Sequence, residues 1–185
     1  MYKRQELLEP EKFRDYCPNG LQVQGKKEVK NIVCGVSASE ALINAAVKRG
    51  ADTIIVHHGY FWKNENPRII GIKRTRIKKL LEHDINLIAY HLPLDANEKV
   101  GNNHELGRLL KLKDVTPLPD EPLVLQGEFD PPVTIEKLTD KLTEILGRVP
   151  YVVPVDSPPS IRRVAFCSGA AQDLSLIHIS EPTRP

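Results

Sequence analysis

The sequence has little cysteine, no long hydrophobic run and no excess of charge of one sign, and each shortage excludes something. Cys17, Cys34 and Cys167 are odd in number, far apart and outside any Cys-x-x-Cys pair, so neither a disulfide framework nor a thiolate zinc site is supported. That usage fits a reducing compartment, and a cytoplasmic protein is expected. No apolar stretch reaches the roughly 18 residues of a membrane span, and the charged start Met-Tyr-Lys-Arg-Gln-Glu does not read as a signal peptide. The formal balance of +2 over 185 residues argues against a dedicated nucleic-acid binder while leaving room for a local basic patch. The hydrophobic share of 41% is somewhat low but sufficient for a core, and the length suits one domain or two small ones.

What is present gathers around residues 51–62, Ala-Asp-Thr-Ile-Ile-Val-His-His-Gly-Tyr-Phe-Trp. An apolar, β-branched run bounded by polar residues and closing on Gly59 reads as a strand buried on both faces, in the parallel-sheet manner. His57 and His58 leave its carboxyl end, where open α/β sheets place their ligands. Neighbouring strand residues point to opposite faces, so both rings are expected to share a site only if the chain has left the extended state by Gly59. The pair alone divides evenly between satisfied core histidines and a metal or catalytic role. A second apolar run at 85–90, Ile-Asn-Leu-Ile-Ala-Tyr, shifts the balance, because it too ends in candidate ligands: His91, then Asp95. If the two strands are parallel with a helix between, their carboxyl ends meet on one edge. Histidine and aspartate are donors suited to divalent zinc, iron, nickel or manganese.

The remaining elements follow from punctuation and period. Residues 1–15 suggest a short amphipathic helix divided by Pro10. Pro18-Asn19-Gly20 is turn chemistry leading into a strand at 21–23. Residues 29–36 read as a strand, and Ser37-Ala-Ser39-Glu40 as the cap of a helix running to Arg49 and stopped by Gly50. After a polar loop at 63–68 comes a basic helix in which Lys73, Arg74, Arg76, Lys78 and Lys79 alternate with Ile72, Ile77, Leu80 and Leu81. A solvated face explains that pattern better than a phosphate site does. His83 suits a helix end as a cation. Asn102 or Asn103 is expected to cap the next helix, with a ligand-orienting role weighed equally, and His104 reads as surface. Residues 112–122 look like a boundary. Beyond it come a strand at 123–129, a helix from the Thr134 cap to Leu146, strands at 151–155 and 164–167, and a small-residue loop, Ser168-Gly169-Ala-Ala, which is a weak phosphate signal. Residues 174–185 resemble the translation of a sequencing-library adapter and are set aside, so His178 receives no role.

Four segments, Pro18-Asn-Gly-Leu-Gln-Val, Val56-His-His-Gly-Tyr-Phe-Trp, His91-Leu-Pro-Leu-Asp-Ala and Gly101-Asn-Asn, resemble in this order the Nif-three-like family of dinuclear metal proteins, also called GTP cyclohydrolase I type 2 homologues. The likeness runs over residues 15–173. It implies an α/β fold of two intertwined, similar halves: the first over 1–116 carrying the metal ligands, the second incomplete over 117–173, with 174–185 a non-native tail. It implies a homo-hexameric ring and two divalent metal ions, zinc, iron, nickel or manganese, with His57, His58 and Asp95 on the ligand positions. The family's further His and Glu, in a Gly-His-x-x-x-Glu-like segment, have no match here. A chain truncated before that segment is expected to hold one ion or none. Beside the ligands, His91 is assigned to catalysis, either as a partner that supports the ligands or as a proton carrier, and Asn102, Asn103 and Tyr60 to substrate binding. The function implied for the full-length parent is metal-dependent hydrolysis of a GTP-like purine nucleotide, with this shorter chain inactive. The alternative is a ring-forming metal-binding scaffold or regulatory protein. Neither nucleic acid nor membrane is an expected partner.

Overall fold

The computed structural model describes residues 7–153 and 160–169. What was expected of residues 1–6, 154–159 and 170–185, the tail included, lies outside them. The chain divides into two compact units, Met1–Leu94 and Asp95–Pro185.

The first unit contains β1 (Gly20–Val23), β2 (Ile32–Ser37), α1 (Glu40–Lys48), β3 (Thr53–His58), α2 (Gly71–Glu82) and β4 (Asn86–Ala89). Its sheet is ordered β1-β4-β3-β2, with β2, β3 and β4 parallel and β1 antiparallel to β4. The two apolar runs are therefore neighbours, paired from Thr53 opposite Asn86 to Val56 opposite Ala89. Ile54, Val56, Leu87 and Ala89 join Ile43 and Ala46 of α1 and Ile77 and Leu80 of α2 in one buried cluster. Helix α1 forms where the sequence caps it: Ser39 accepts from the Leu42 amide at its start, and Gly50, at φ 60°, turns the chain into β3.

Two boundaries differ from expectation. β2 starts at Ile32 rather than at residue 29 because the amides of Lys30 and Asn31 are taken by the Asp52 carboxylate at 3.1 and 3.0 Å. Groups already satisfied by a side chain have no need of a ladder. β3 runs through His58, which pairs with Ser37, so the chain is still extended at the histidine pair. The two rings meet nonetheless, because alternation fixes only where each Cβ starts.

In the second unit lie α4 (Asn102–Leu110), β5 (Lys113–Pro117), β6 (Leu125–Val133), α5 (Ile135–Leu146) and β7 (Ile161–Phe166), the strands forming an antiparallel sheet β5-β6-β7. A short helix, α3 (Leu92–Ala96), crosses the division. Thr134 caps α5 as expected, accepting from the Lys137 amide, and the helix ends at Leu146. The N-cap of α4 is Gly101, not Asn102 or Asn103, whose side chains are used elsewhere. The proline-rich stretch at 112–122 carries β5 in its first half. Residues 151–153 form no strand, and Tyr151 is 91% exposed; β-branched and aromatic residues make a strand only where a pleated surface receives them. No helix among the described residues is long and apolar enough to cross a membrane.

Candidate metal centre

Parallel pairing of β3 with β4 delivers three imidazoles to one edge of the sheet. His57 and His58 close β3, and His91 lies just past the end of β4. One ligand atom from each lies within 4.8 Å of the others, and all three residues are half-buried. The ring centroids are 4.5 Å apart for His57 and His58, 5.0 Å for His57 and His91, and 5.7 Å for His58 and His91.

Hydrogen bonding fixes the form of two of these rings. His57 Nδ1 lies 2.9 Å from the Tyr90 carbonyl oxygen, and a carbonyl only accepts, so Nδ1 carries a proton, which in the neutral ring leaves the lone pair on Nε2. His91 Nδ1 donates in the same way to Asp15 Oδ1 at 2.7 Å. His58 Nδ1 is 3.1 Å from Ser37 Oγ, which both donates and accepts. Trp62, absent from the sequence-based site, packs edge-on against the His91 ring at 4.9 Å and near the His58 ring at 5.9 Å. Its indole nitrogen donates to the Gly59 carbonyl. The one available signal was its place four residues after His58.

A second group, Asp15, Cys17 and His91, also brings ligand atoms within 4.8 Å. Its chemistry suits support rather than an ion. Burial pushes the Asp15 carboxyl up, but hydrogen bonds from Asn19, His91 and the Leu92 and Tyr16 amides outweigh it and hold the group below its ordinary value. Burial, and then the charge of Asp15, push the Cys17 thiol up to about 11. Without an ion beside it, that favours the neutral thiol over the thiolate.

The remaining site candidates separate by what holds them. Tyr60 is buried, and its hydroxyl donates to the Ala38 carbonyl at 2.7 Å. Asn103 is 1% exposed, donates to the Leu123 carbonyl and accepts from the Ser168 amide. Asp95, 4% exposed in the second unit, accepts from Asn102 Nδ2 at 2.8 Å and Ser168 Oγ at 3.1 Å. The small-residue loop thus spends its serine on Asp95 and Asn103. On α2, Lys73 is paired with Glu65 and lies over the Phe61 ring, Lys78 with Glu82, and Lys79 with Glu40 and Asn44. His83, at the C-cap of α2, lies 3.0 Å through Nδ1 from the Lys79 carbonyl.

Residues 1–180 match the family described as Duf34/NIF3 (NGG1p interacting factor 3). The chain is 46% identical over 169 residues to the "GTP cyclohydrolase 1 type 2 homolog" of Haemophilus influenzae, covering 90% of this chain and 67% of that protein. It is 48% identical over 167 residues to the protein of the same name from Escherichia coli K12, covering 90% and 67%. Among solved structures it resembles protein ybgI, described as of unknown function, at 47% identity and TM-score 0.90 over 97% of this chain and 71% of that one. It also resembles TTHA1606 from Thermus thermophilus at 35% identity and TM-score 0.84, over 94% and 70%. The chain spans about two thirds of the length of the curated relatives it matches.

Proposed function

The chain belongs to the Duf34/NIF3 family, and on that premise we propose that it is the metal-holding part of a metal-dependent hydrolase of GTP-like purine nucleotides. The observation that carries the proposal is the meeting of His57, His58 and His91 with ligand atoms within 4.8 Å. The donor set fits a divalent ion, because His57 and His91 each give Nδ1–H to an oxygen and so offer Nε2, the usual arrangement of a ligating imidazole.

His57, His58 and Asp95 hold the metal, of zinc, iron, nickel or manganese type, with a second ion in a protein of the relatives' full length. The cluster favours His91 as a further nitrogen donor over a proton carrier. When bound, a divalent ion supplies Lewis acidity and brings the pKa of water to about 7. The chain's own groups do the rest: Asn102 and Ser168 orient Asp95, and Trp62 screens the His91 and His58 rings. The nucleotide is suggested by the relatives' name. Asn102, Asn103 and Tyr60 are the proposed substrate-binding residues, with Asn102 beside the carboxylate and Tyr60 and Asn103 held by the Ala38 and Leu123 carbonyls.

The test is metal content and turnover together. Purified protein loaded with Zn2+ or Mn2+ is expected to retain stoichiometric metal, and a protein of the relatives' full length to release formate from GTP. Metal in place with no nucleotide changed removes the hydrolase reading. A second reading, a ring-forming scaffold, is favoured by exposed Val29, Ile32 and Val36 in and beside the edge strand β2. His58→Ala separates the two: turnover lost with the homo-hexamer intact supports the enzyme, whereas loss of the ring supports the scaffold.

A further inference from the structure

The loop ahead of β1 is built around His91, although it lies more than seventy residues away in sequence. Asp15 has a side chain only 3% exposed. Its Oδ1 accepts from His91 Nδ1 at 2.7 Å and from the Tyr16 amide at 2.6 Å. Its Oδ2 accepts from Asn19 Nδ2 at 2.8 Å and from the Leu92 amide at 2.9 Å. Asn19 returns its own Oδ1 to the His91 amide at 2.8 Å. The ring, the amide and the following amide of one histidine are thus all held by this pair. The clamp closes where the β1–β4 ladder ends, since Gly20 pairs with Ala89, so the turn and His91 are brought together by strand pairing.

A buried carboxylate is costly unless its lone pairs are used. Closing a surface turn alone would require only the bonds to Tyr16 and Asn19. The bond to the His91 ring does something a turn does not need: it keeps the proton on Nδ1 and the lone pair on Nε2, with the ring 5.0 Å from that of His57 and 5.7 Å from that of His58.

On the metal reading above, we propose that Asp15 is a positioning residue that fixes the tautomer and orientation of His91, making it a third nitrogen donor of the His57–His58 cluster. Asn19 fixes the backbone from which that ring projects. Removing the carboxylate frees the ring to turn and to exchange tautomers, so the nitrogen donor is no longer held toward the cluster.

The experiment uses Asp15→Asn, which keeps the shape and loses the charge, with Asn19→Ala as a second variant, and Co2+ as the probe ion. Long-range proton–nitrogen NMR on the metal-free protein is expected to show His91 as the Nδ1–H tautomer in the parent and a mixture in Asp15→Asn. Co2+ affinity is expected to fall about 10- to 100-fold in Asp15→Asn, with an altered visible spectrum and an unchanged far-ultraviolet circular dichroism spectrum. An Nε2–H tautomer in the parent overturns the proposal, as does a folded Asp15→Asn variant with parental tautomer, affinity and Co2+ spectrum. If the parent takes up no Co2+, the metal reading fails, and the donor role of His91 is overturned with it. Should Asp15→Asn not fold, the parent's tautomer and the Co2+ spectrum of Asn19→Ala still decide.

Discussion

At the scale of the residue, a few polar side chains hold the ends of strands where the site is built. Asp52 opens β3, and its side chain is 11% exposed. Its carboxyl is drawn down to about 2 by the hydrogen bond from Lys26 and then by those of the Asn31 and Lys30 amides. A depressed carboxylate contributes stability that is complete above the unfolded value of about 4 and disappears as pH falls from there toward the folded value. Urea midpoints measured from pH 6 to pH 2 are expected to fall across that window in the parent. In Asp52→Asn they should start lower and fall less. Gly59 is a second such position: a Cβ there would stand 2.1 Å from Gln22 Oε1 and 2.7 Å from Ala89 Cβ. Gln22 Oε1 accepts from the Tyr60 amide and its Nε2 donates to the Tyr60 carbonyl, so it acts as a ladder partner for the loop leaving the histidines. Gly59→Ala is expected to cost about 1–3 kcal/mol by overpacking and to lower metal affinity, read by denaturant unfolding and Co2+ titration. Tyr60→Phe should cost about 0.5–1.5 kcal/mol through the lost bond to Ala38 and leave metal affinity unchanged; a selective loss of substrate binding would support its place in the site.

At the scale of the element, helix caps and pairing decide more than propensity does. Ser39 caps α1, the helix that puts Ile43 and Ala46 against the sheet. Ser39→Ala is expected to cost about 1 kcal/mol in urea unfolding, with metal affinity unchanged because α1 carries none of the proposed ligands. Helix α2 was readable as an amphipathic helix, but its charges were not readable as pairs. Lys73, Lys78 and Lys79 are engaged with carboxylates or an aromatic ring, which agrees with the solvated-face reading of that helix. The same distinction explains β2: its apolar residues were visible, whereas its start at Ile32 depended on Asp52 capturing two amides from another part of the chain.

At the scale of the whole molecule, an ion that binds only the folded state stabilises it by mass action, by about 2.7 kcal/mol when its free concentration is a hundred times Kd. Thermal unfolding with excess Zn2+ and then with a chelator is expected to show a lower midpoint without metal, and the difference should vanish in His57→Ala. A chelator-independent midpoint in metal-loaded protein would speak against a bound ion in this chain.

The sequence by itself determined the local features. The apolar runs ending in His57, His58 and His91, the Ser39 and Thr134 caps and the Pro18-Asn19-Gly20 turn are all written in a few adjacent residues, and the ordered segments carried the family. Tertiary structure alone decided what joins residues distant in sequence. Asp15 clamping His91, Asp52 setting the start of β2, Trp62 against two imidazoles and Asn103 spent on Leu123 leave no local pattern, because a hydrogen bond across the fold depends on strand order and register rather than on spacing along the chain.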